Sequence, residues 1–469
     1  MEPWVFVLAA AAIHLLGWVC ALHALLHKTR HTTSAIAWIL TCLLVPLLEA
    51  LLYVTVGQDH LARRRSSDVS RSRTLFRDRK PGARLFPPES IEEKAFVRRI
   101  GLATLSDNPL VGGNAVDFRI DGEAAYPVML EAIKNARETI TWSYYIFDGD
   151  GEGRKFRDAL IERARAGVKV RVLYDAVGSQ ATHHAFWKSL LDGGVEVKAF
   201  LPRRIPWRLN LRNHRKLLVV DGKTAFTGSM NVGGRHLRYG ENFLSHDIMV
   251  RVRGPVVDCV QRVFARDWFF ACGENLDDEP IFGNADVQGD TVVQVLESGP
   301  DKTLDEYLSV IISAIHHARK SITLVTPYFV PDETLLSAML IACRRDVEVR
   351  LVIPERSNSL LIDLASRSYT RRLVEMGAEI YERPGTMIHM KIAVIDKELV
   401  LIGSSNLDNR SFFLNFEIDL VVPDPRFAGD LEAMILHDEI EKSIRVPEQR
   451  FSRLRQIITR GAAIFAPIL

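Results

Sequence analysis

The apolar and polar positions of this chain fall into two regimes. Residues 4–26 form an apolar run with no Asp, Glu, Lys or Arg, and residues 35–56 form a second, interrupted by Pro46 and Glu49. At 1.5 Å per residue the first run makes a helix of about 33 Å, enough for a hydrocarbon core of about 30 Å. The Met-Glu-Pro start lacks the basic residues and cleavage site of a signal peptide, so the run is expected to be retained. A carboxylate in lipid costs a few kcal/mol. The second run therefore either spans with Glu49 protonated or paired, or turns back as a re-entrant hairpin. Either way Met1 and the bulk of the chain stay on one side.

From about residue 115 the pattern alternates between short apolar runs and stretches of helical period, and it does so twice. In the first pass 116–120, 139–147, 168–175 and 195–200 read as strands; 124–137, 153–166, 183–191 and 255–270 read as helices. In the second, 292–297, 322–329 and 347–353 are strands; 304–320, 333–343, 369–376 and 431–443 are helices. Asn135-Ala136-Arg137-Glu138-Thr139-Ile140 finds its counterpart in His317-Ala318-Arg319-Lys320-Ser321-Ile322. Such a repeat predicts an α/β protein of two similar halves, each a mixed sheet flanked by helices. We divide the chain into a membrane hairpin (1–57), a basic linker (58–100), a first half (101–288) and a second half with an amphipathic tail (289–469).

Composition changes this picture only locally. A net charge of +2 excludes binding of polyanions by overall charge, and five scattered cysteines argue against a zinc site or a disulfide framework. Arg63, Arg64, Arg65, Arg71, Arg73 and Arg77 crowd behind the second apolar run, which by the positive-inside rule puts the large part in the cytoplasm. The linker reads either as a docking strip for anionic headgroups or as a solvated tether. The insertion 202–213 carries Arg203, Arg204, Trp207 and Arg208, and reads either as an interfacial loop or as an ordinary exposed one. The tail 451–469 reads either as an interfacial amphipathic helix or as a segment packed on the core.

One phrase occurs in both halves. His214, Lys216, Asp221, Ser229 and Asn231 recur at identical spacing as His389, Lys391, Asp396, Ser404 and Asn406. His and Lys two apart point to the same face of a strand. The apolar run after them leads into a hairpin turn at Asp221-Gly222, which would set Val220 against Lys223 and Ser229 against His214. A two-residue turn at Asp396-Lys397 sets Ser404 against His389 in the same way. Each hairpin then gathers imidazole, ammonium, hydroxyl and amide at one end. Each Asp lies at the other end, five strand steps or about 16 Å from its Lys. Asp221 and Asp396 thus read either as catalysts or as turn-forming acceptors. Glu241 and Glu417, ten and eleven residues after the two asparagines, are the expected carboxylates that orient the histidines.

These residues resemble the phospholipase D superfamily, whose hallmark is HxKxxxxD followed by GSxN in two copies, and the resemblance covers roughly 100–445. Within it the chain is most similar to the bacterial cardiolipin synthases. The resemblance implies halves packed about a pseudo-twofold axis and sharing one site. It also implies a phosphohistidine intermediate with one His as nucleophile and the other as general acid, and no metal or other cofactor. Lys216, Lys391, Asn231, Asn406, Ser229 and Ser404 would hold the phosphoryl oxygens. Placing the nucleophile at His214 follows the family's habit; symmetry leaves the exchange with His389 open.

The expected activity is formation of cardiolipin and glycerol from two phosphatidylglycerols at a bacterial-type inner membrane, by a multi-pass protein with its catalytic part in the cytoplasm. The alternatives are a lipid hydrolase of phospholipase D type, a transphosphatidylase with another alcohol, a nuclease, which has no need of lipid-embedded segments, and an inert scaffold. The expected partners are anionic phospholipids and the membrane, with no nucleic acid.

Overall fold

A computed structural model describes residues 3–27, 100–201, 211–237, 245–276, 279, 281–282, 285–302, 305–448, 453–464 and 466. The first half contributes β1 (Leu110–Ile120), β2 (Thr139–Tyr144), β3 (Lys169–Asp175), β4 (Glu196–Phe200), β5 (Lys216–Val220), β6 (Thr224–Gly228) and β7 (Ile248–Arg253). The second contributes β8 (Thr291–Ser298), β9 (Ser321–Val325), β10 (Glu348–Pro354), β11 (Glu379–Arg383), β12 (Ile392–Ile395), β13 (Leu399–Gly403) and β14 (Asn415–Val422). All lie in one continuous mixed sheet, in the order β11-β10-β9-β12-β13-β14-β8-β1-β7-β6-β5-β2-β3-β4. Read outward from the centre, both arms run through corresponding strands in the same sequence. At the centre β1 meets β8 antiparallel, with Leu110 opposite Gln294 and Val111 opposite Val293.

The strands carry continuous apolar runs because both of their faces are covered. In β5, Leu217 and Val219 enter a core common to the two halves, while Leu218 and Val220 face the first half's own helices. In β12, Ile392 and Val394 enter that common core, and Ala393 and Ile395 face the second half's helices. The common core is closed by the helices Val257–Cys272 and Pro425–Met434. On the outer faces lie Asp121–Lys134, Gly151–Arg165 and His184–Asp192 in one half, and Glu306–His317, Glu333–Arg344 and Leu360–Val374 in the other.

Several expected elements shift. The last-named helix begins nine residues before the expected 369, with the Ser359 hydroxyl accepting from the Ile362 amide at its start. Its first residues, Leu360 and Leu361, are exposed and break the apolar phase. The helix expected over 431–443 begins at Pro425 and passes into a π-helical turn, Ile435–Ile440. The helix Arg453–Ala463 packs on the helix Leu360–Val374, with Ala462 in the second half's core.

The hairpin register also differs by one residue. Val220 pairs with Thr224 and Ile395 with Leu399, so each turn holds three residues rather than two. Asp221 and Gly222 in the first turn, and Asp396 and Lys397 in the second, adopt left-handed φ between 51° and 62°. A third turn residue absorbs the twist there.

Among the described residues no helix is long and apolar enough to cross a membrane. The helix Pro3–His27 exposes Trp4, Leu8, Leu15, Trp18, Val19 and Leu22. The second apolar run, the basic linker and the insertion 202–210 lie outside the described residues. The expected multi-pass hairpin is therefore not supported by the fold.

Candidate active site

Two short parallel strand pairs build the site by exchange between halves. Arg212–Asn213 pairs with Asn415–Phe416, and the His214 amide donates to the Phe416 carbonyl at 2.9 Å. Met387–Ile388 pairs with Ser245–His246, and the His389 amide donates to the His246 carbonyl at 2.8 Å. In both cases the residue next along the partner strand is a carboxylate. His214 Nδ1 lies 3.0 and 2.9 Å from the two carboxylate oxygens of Glu417. His389 Nδ1 lies 2.7 Å from Oδ1 of Asp247. Each histidine thus takes its carboxylate from the opposite half. A carboxylate at Nδ1 fixes the tautomer and leaves Nε2 free for chemistry.

Asp247, not Glu241, is the carboxylate that meets His389. Glu241 lies outside the described residues. Counting from the asparagine misplaced the partner because the first half carries extra residues before its strand. The better signal is adjacency: Asp247 immediately precedes Ile248 at the start of β7, as Glu417 precedes Ile418 within β14.

Ser229 and Ser404 fix these strands. The Ile248 amide donates to the Ser229 hydroxyl at 3.0 Å and the Ile418 amide to the Ser404 hydroxyl at 2.9 Å. Ser229 also donates to Asp247 Oδ1 at 2.8 Å. The glycine before each serine permits this approach: a Cβ on Gly228 or Gly403 would sit 2.4 Å from the carbonyl oxygen of Ile248 or Ile418. Asn231 accepts from the Ile146 amide at 3.3 Å, while Oδ1 of Asn406 is buried without a partner among the described residues.

Lys216 and Lys391 each donate to the carbonyl of the histidine two residues before, at 2.5 Å. Both are buried. Desolvation pulls the Lys216 ammonium down to about 7 and Lys391 down to about 8, against the pull of Glu417 and Asp247. Burial, reinforced by the lysines, holds His214 well below its usual range and His389 down to about 3. His214 feels Lys391 and His389 feels Lys216, so the two half-sites lie within one electrostatic field. Burial raises Glu417 to about 6, whereas Asp247 is held well below the carboxylate range: its burial is outweighed by His389 and His236. A phosphodiester anion entering here opposes the depression of all four cations.

Asp221 and Asp396 are not brought to the histidines. Asp221 accepts from the amides of Arg137, Glu138 and Thr139 at 2.8–3.2 Å. These lie at the far end of β2 from Tyr144, the residue opposite Lys216. Asp396 repeats the arrangement with Arg319, Lys320 and Ser321 at 2.7–2.9 Å. Both are turn clamps.

Three further side chains belong to the site and carry no signal in the spacing of the repeat. Arg215 is buried and ties the halves together, donating to Asp267 at 2.6 Å, to Glu297 at 3.1 Å and to the Glu417 carbonyl at 3.0 Å. Tyr145 sets its ring edge-on to His214 with centroids 4.9 Å apart. His236 meets the second oxygen of Asp247 at 2.7 Å. Nothing in the repeated phrase points to Tyr145 or His236, and Arg215, which stands inside it, has Met390 in its place in the second copy.

The family model for the cardiolipin synthase, PLD-like domain matches residues 129–268 and 311–438. A cardiolipin synthase A of Pseudomonas fluorescens is 34% identical over 98% of this chain and 97% of its own. One from Pseudomonas syringae pv. syringae is 34% identical over 100% of this chain and 99% of its own. The crystal structure of a phosphatidylserine synthase from Haemophilus influenzae shares the fold, with a TM-score of 0.60 and 14% identity, covering 80% of this chain and 100% of that one. The chain belongs to the cardiolipin synthase family of phospholipase D-like proteins.

Proposed function

We propose that this protein is a phosphatidyltransferase that joins two phosphatidylglycerols into cardiolipin and releases glycerol. The observation that carries the reading is the exchange of carboxylates, Glu417 to His214 and Asp247 to His389, which ties each imidazole to the opposite half; the influence of each lysine on the other half's histidine supports one shared site. The activity for which relatives aligned over nearly the whole chain are named supports the choice of substrate.

In the first step Nε2 of His214 attacks the phosphorus of one phosphatidylglycerol. The bond to the glycerol headgroup breaks, His389 gives its proton to the departing oxygen, and glycerol leaves. In the second, a headgroup hydroxyl of another phosphatidylglycerol gives its proton to His389. Its oxygen attacks the phosphorus, and the phosphorus–nitrogen bond breaks to restore His214. Lys216, Lys391, Asn231 and Asn406 supply positive charge and donors to the phosphoryl oxygens as charge develops. Ser229 and Ser404 support the carboxylate strands, and Asp221 and Asp396 the turns.

The halves, taken as 101–288 and 289–469, are read as related by a pseudo-twofold; the matching strand order of the two arms supports this. Attachment to a bacterial inner membrane through the N-terminal segment, with the catalytic part on the cytoplasmic side, is supported by the exposed apolar side chains of the helix Pro3–His27 and the arginines of the linker. Labelled phosphatidylglycerol supplied to the full chain in vesicles tests the activity. Cardiolipin and glycerol in equal amounts are expected; phosphatidic acid as the sole lipid product would replace the reading with hydrolysis.

A further inference from the structure

The two half-sites are alike in plan, yet their carboxylates are not loaded alike. Glu417 serves one imidazole, and its other partners are all small polar groups: Ser404, the Ser411 hydroxyl at 3.0 Å and the Asn415 amide at 3.2 Å. Asp247 serves two. Its Oδ1 accepts from Ser229 at 2.8 Å and His389 at 2.7 Å; its Oδ2 accepts from His236 Nδ1 at 2.7 Å and Ser245 at 2.8 Å. Four donors saturate the lone pairs of a carboxylate. His236 is 2% exposed, its ring centroid is 6.5 Å from that of His389, and its Nε2 meets no partner among the described residues. The corresponding carboxylate in the second half has no such second ring, so the extra imidazole is where the symmetry of the site is broken.

We propose that His236 is a positioning residue that takes one oxygen of Asp247, fixes the plane of the carboxylate and divides its charge between two imidazoles, making His389 a stronger acid than it would be with Asp247 to itself. A charge shared by two rings stabilises the imidazolium of either one less. The proposal rests on the functional reading above, in which His389 gives the departing proton.

The other ionisable groups around this cluster are accounted for. Lys391 and Lys216 face His389. Tyr126 donates to the carbonyls of Asn231 and Gly233, beside the turn that carries His236. Asp148 is occupied by Arg235, and Asp150 accepts from the Gly234 amide. His246, next to Asp247, points away and is held by Asp121 at 2.7 Å and Glu439 at 2.8 Å. None of these reaches Oδ2 of Asp247 in place of His236.

The test compares two phosphodiesters in the full chain: phosphatidylglycerol, whose alkoxide must be protonated to leave, and a soluble p-nitrophenyl phosphodiester, whose phenolate leaves without a proton. Replacing His236 by Phe should slow the alkyl ester on the order of tenfold more than the aryl ester, out of the 10²–10⁴-fold that a general acid supplies. It should also move the basic limb of kcat upward by about one pH unit, because His389 then holds its proton more tightly. His236→Asn, whose amide can donate from the position of Nδ1, should restore both properties. Equal loss on both esters with an unmoved limb, or no recovery in His236→Asn, would overturn the proposal by showing a role in folding alone. Should the wild-type chain turn over the aryl ester and no lipid, the lipid reading fails, and the pH limb and the Asn rescue still decide the role of His236.

Discussion

At the scale of single residues, the chemistry depends on what surrounds each histidine more than on the histidines themselves. Asp247→Asn and Glu417→Gln keep size and hydrogen bonding but remove the charge that fixes each ring. Each should lower kcat by about 10²–10⁴-fold with an unchanged circular-dichroism spectrum. Loss of the fold instead would make these carboxylates structural. The lysines set a second expectation. Lys216, at about 7, and Lys391, at about 8, are lowered cations, so their charge is lost at a lower pH than that of a free lysine. With the loss of that charge their hold on a phosphodiester anion weakens, so KM should rise as pH rises through 7 to 8. A flat profile to pH 9 would contradict the role given to them.

The sequence displayed His214, Lys216, His389 and Lys391 openly, because the same intervals occur twice. Asp247 was hidden by an insertion before its strand, and His236 by having no repeat partner at all. A repeat reveals what two halves share and conceals what one has alone.

At the scale of elements, two features hold the site without touching substrate. The clamps Asp221 and Asp396 each satisfy three backbone amides at the end of a central strand. Hydrogen bonds to a charged group are worth roughly 1.5–3 kcal/mol, so Asp221→Ala should lower stability by about that much or more. Activity per folded molecule should be largely retained. A chemical-denaturation curve beside kcat checks both, and loss of kcat at full stability would restore Asp221 to the catalytic set.

The second feature is His246, pulled up to about 9 by Asp121 in the first half and Glu439 in the π-helical turn of the second. Its folded value lies above its ordinary one, so the stability it contributes is complete below about pH 6.5 and is lost as pH rises through 9. A tenfold change in proton affinity is worth about 1.4 kcal/mol, which makes the contribution of His246 on the order of 3 kcal/mol. His246→Gln should therefore unfold at lower denaturant than wild type at pH 6, with the gap narrowing by pH 10. A gap independent of pH would remove the charged clamp from the account.

Most strands and helices were legible as elements because both sheet faces are covered, which leaves unmistakable apolar runs. The turns were less so. The left-handed conformations of Asp221, Asp396 and Lys397 accommodate a third residue that side-chain pattern alone does not specify. The helix starting at Leu360 was foreshortened for a related reason, since its opening leucines face outward.

At the scale of the whole molecule, neither half contains a complete site. His214 without β14 lacks its carboxylate, and His389 without the strand Ser245–His246 lacks its backbone acceptor and Asp247. Arg215 reinforces the join with a buried network spanning Asp267, Glu297 and the carbonyl of Glu417. The most direct test of a shared site is to quench the full chain acting on phosphatidylglycerol labelled at phosphorus and map the label on the protein. Acid-labile label is expected on His214, with cardiolipin synthesis abolished in folded His214→Ala and in folded His389→Ala alike. Cardiolipin formed by either variant, or formed by the wild type with no histidine ever carrying phosphorus, would contradict it.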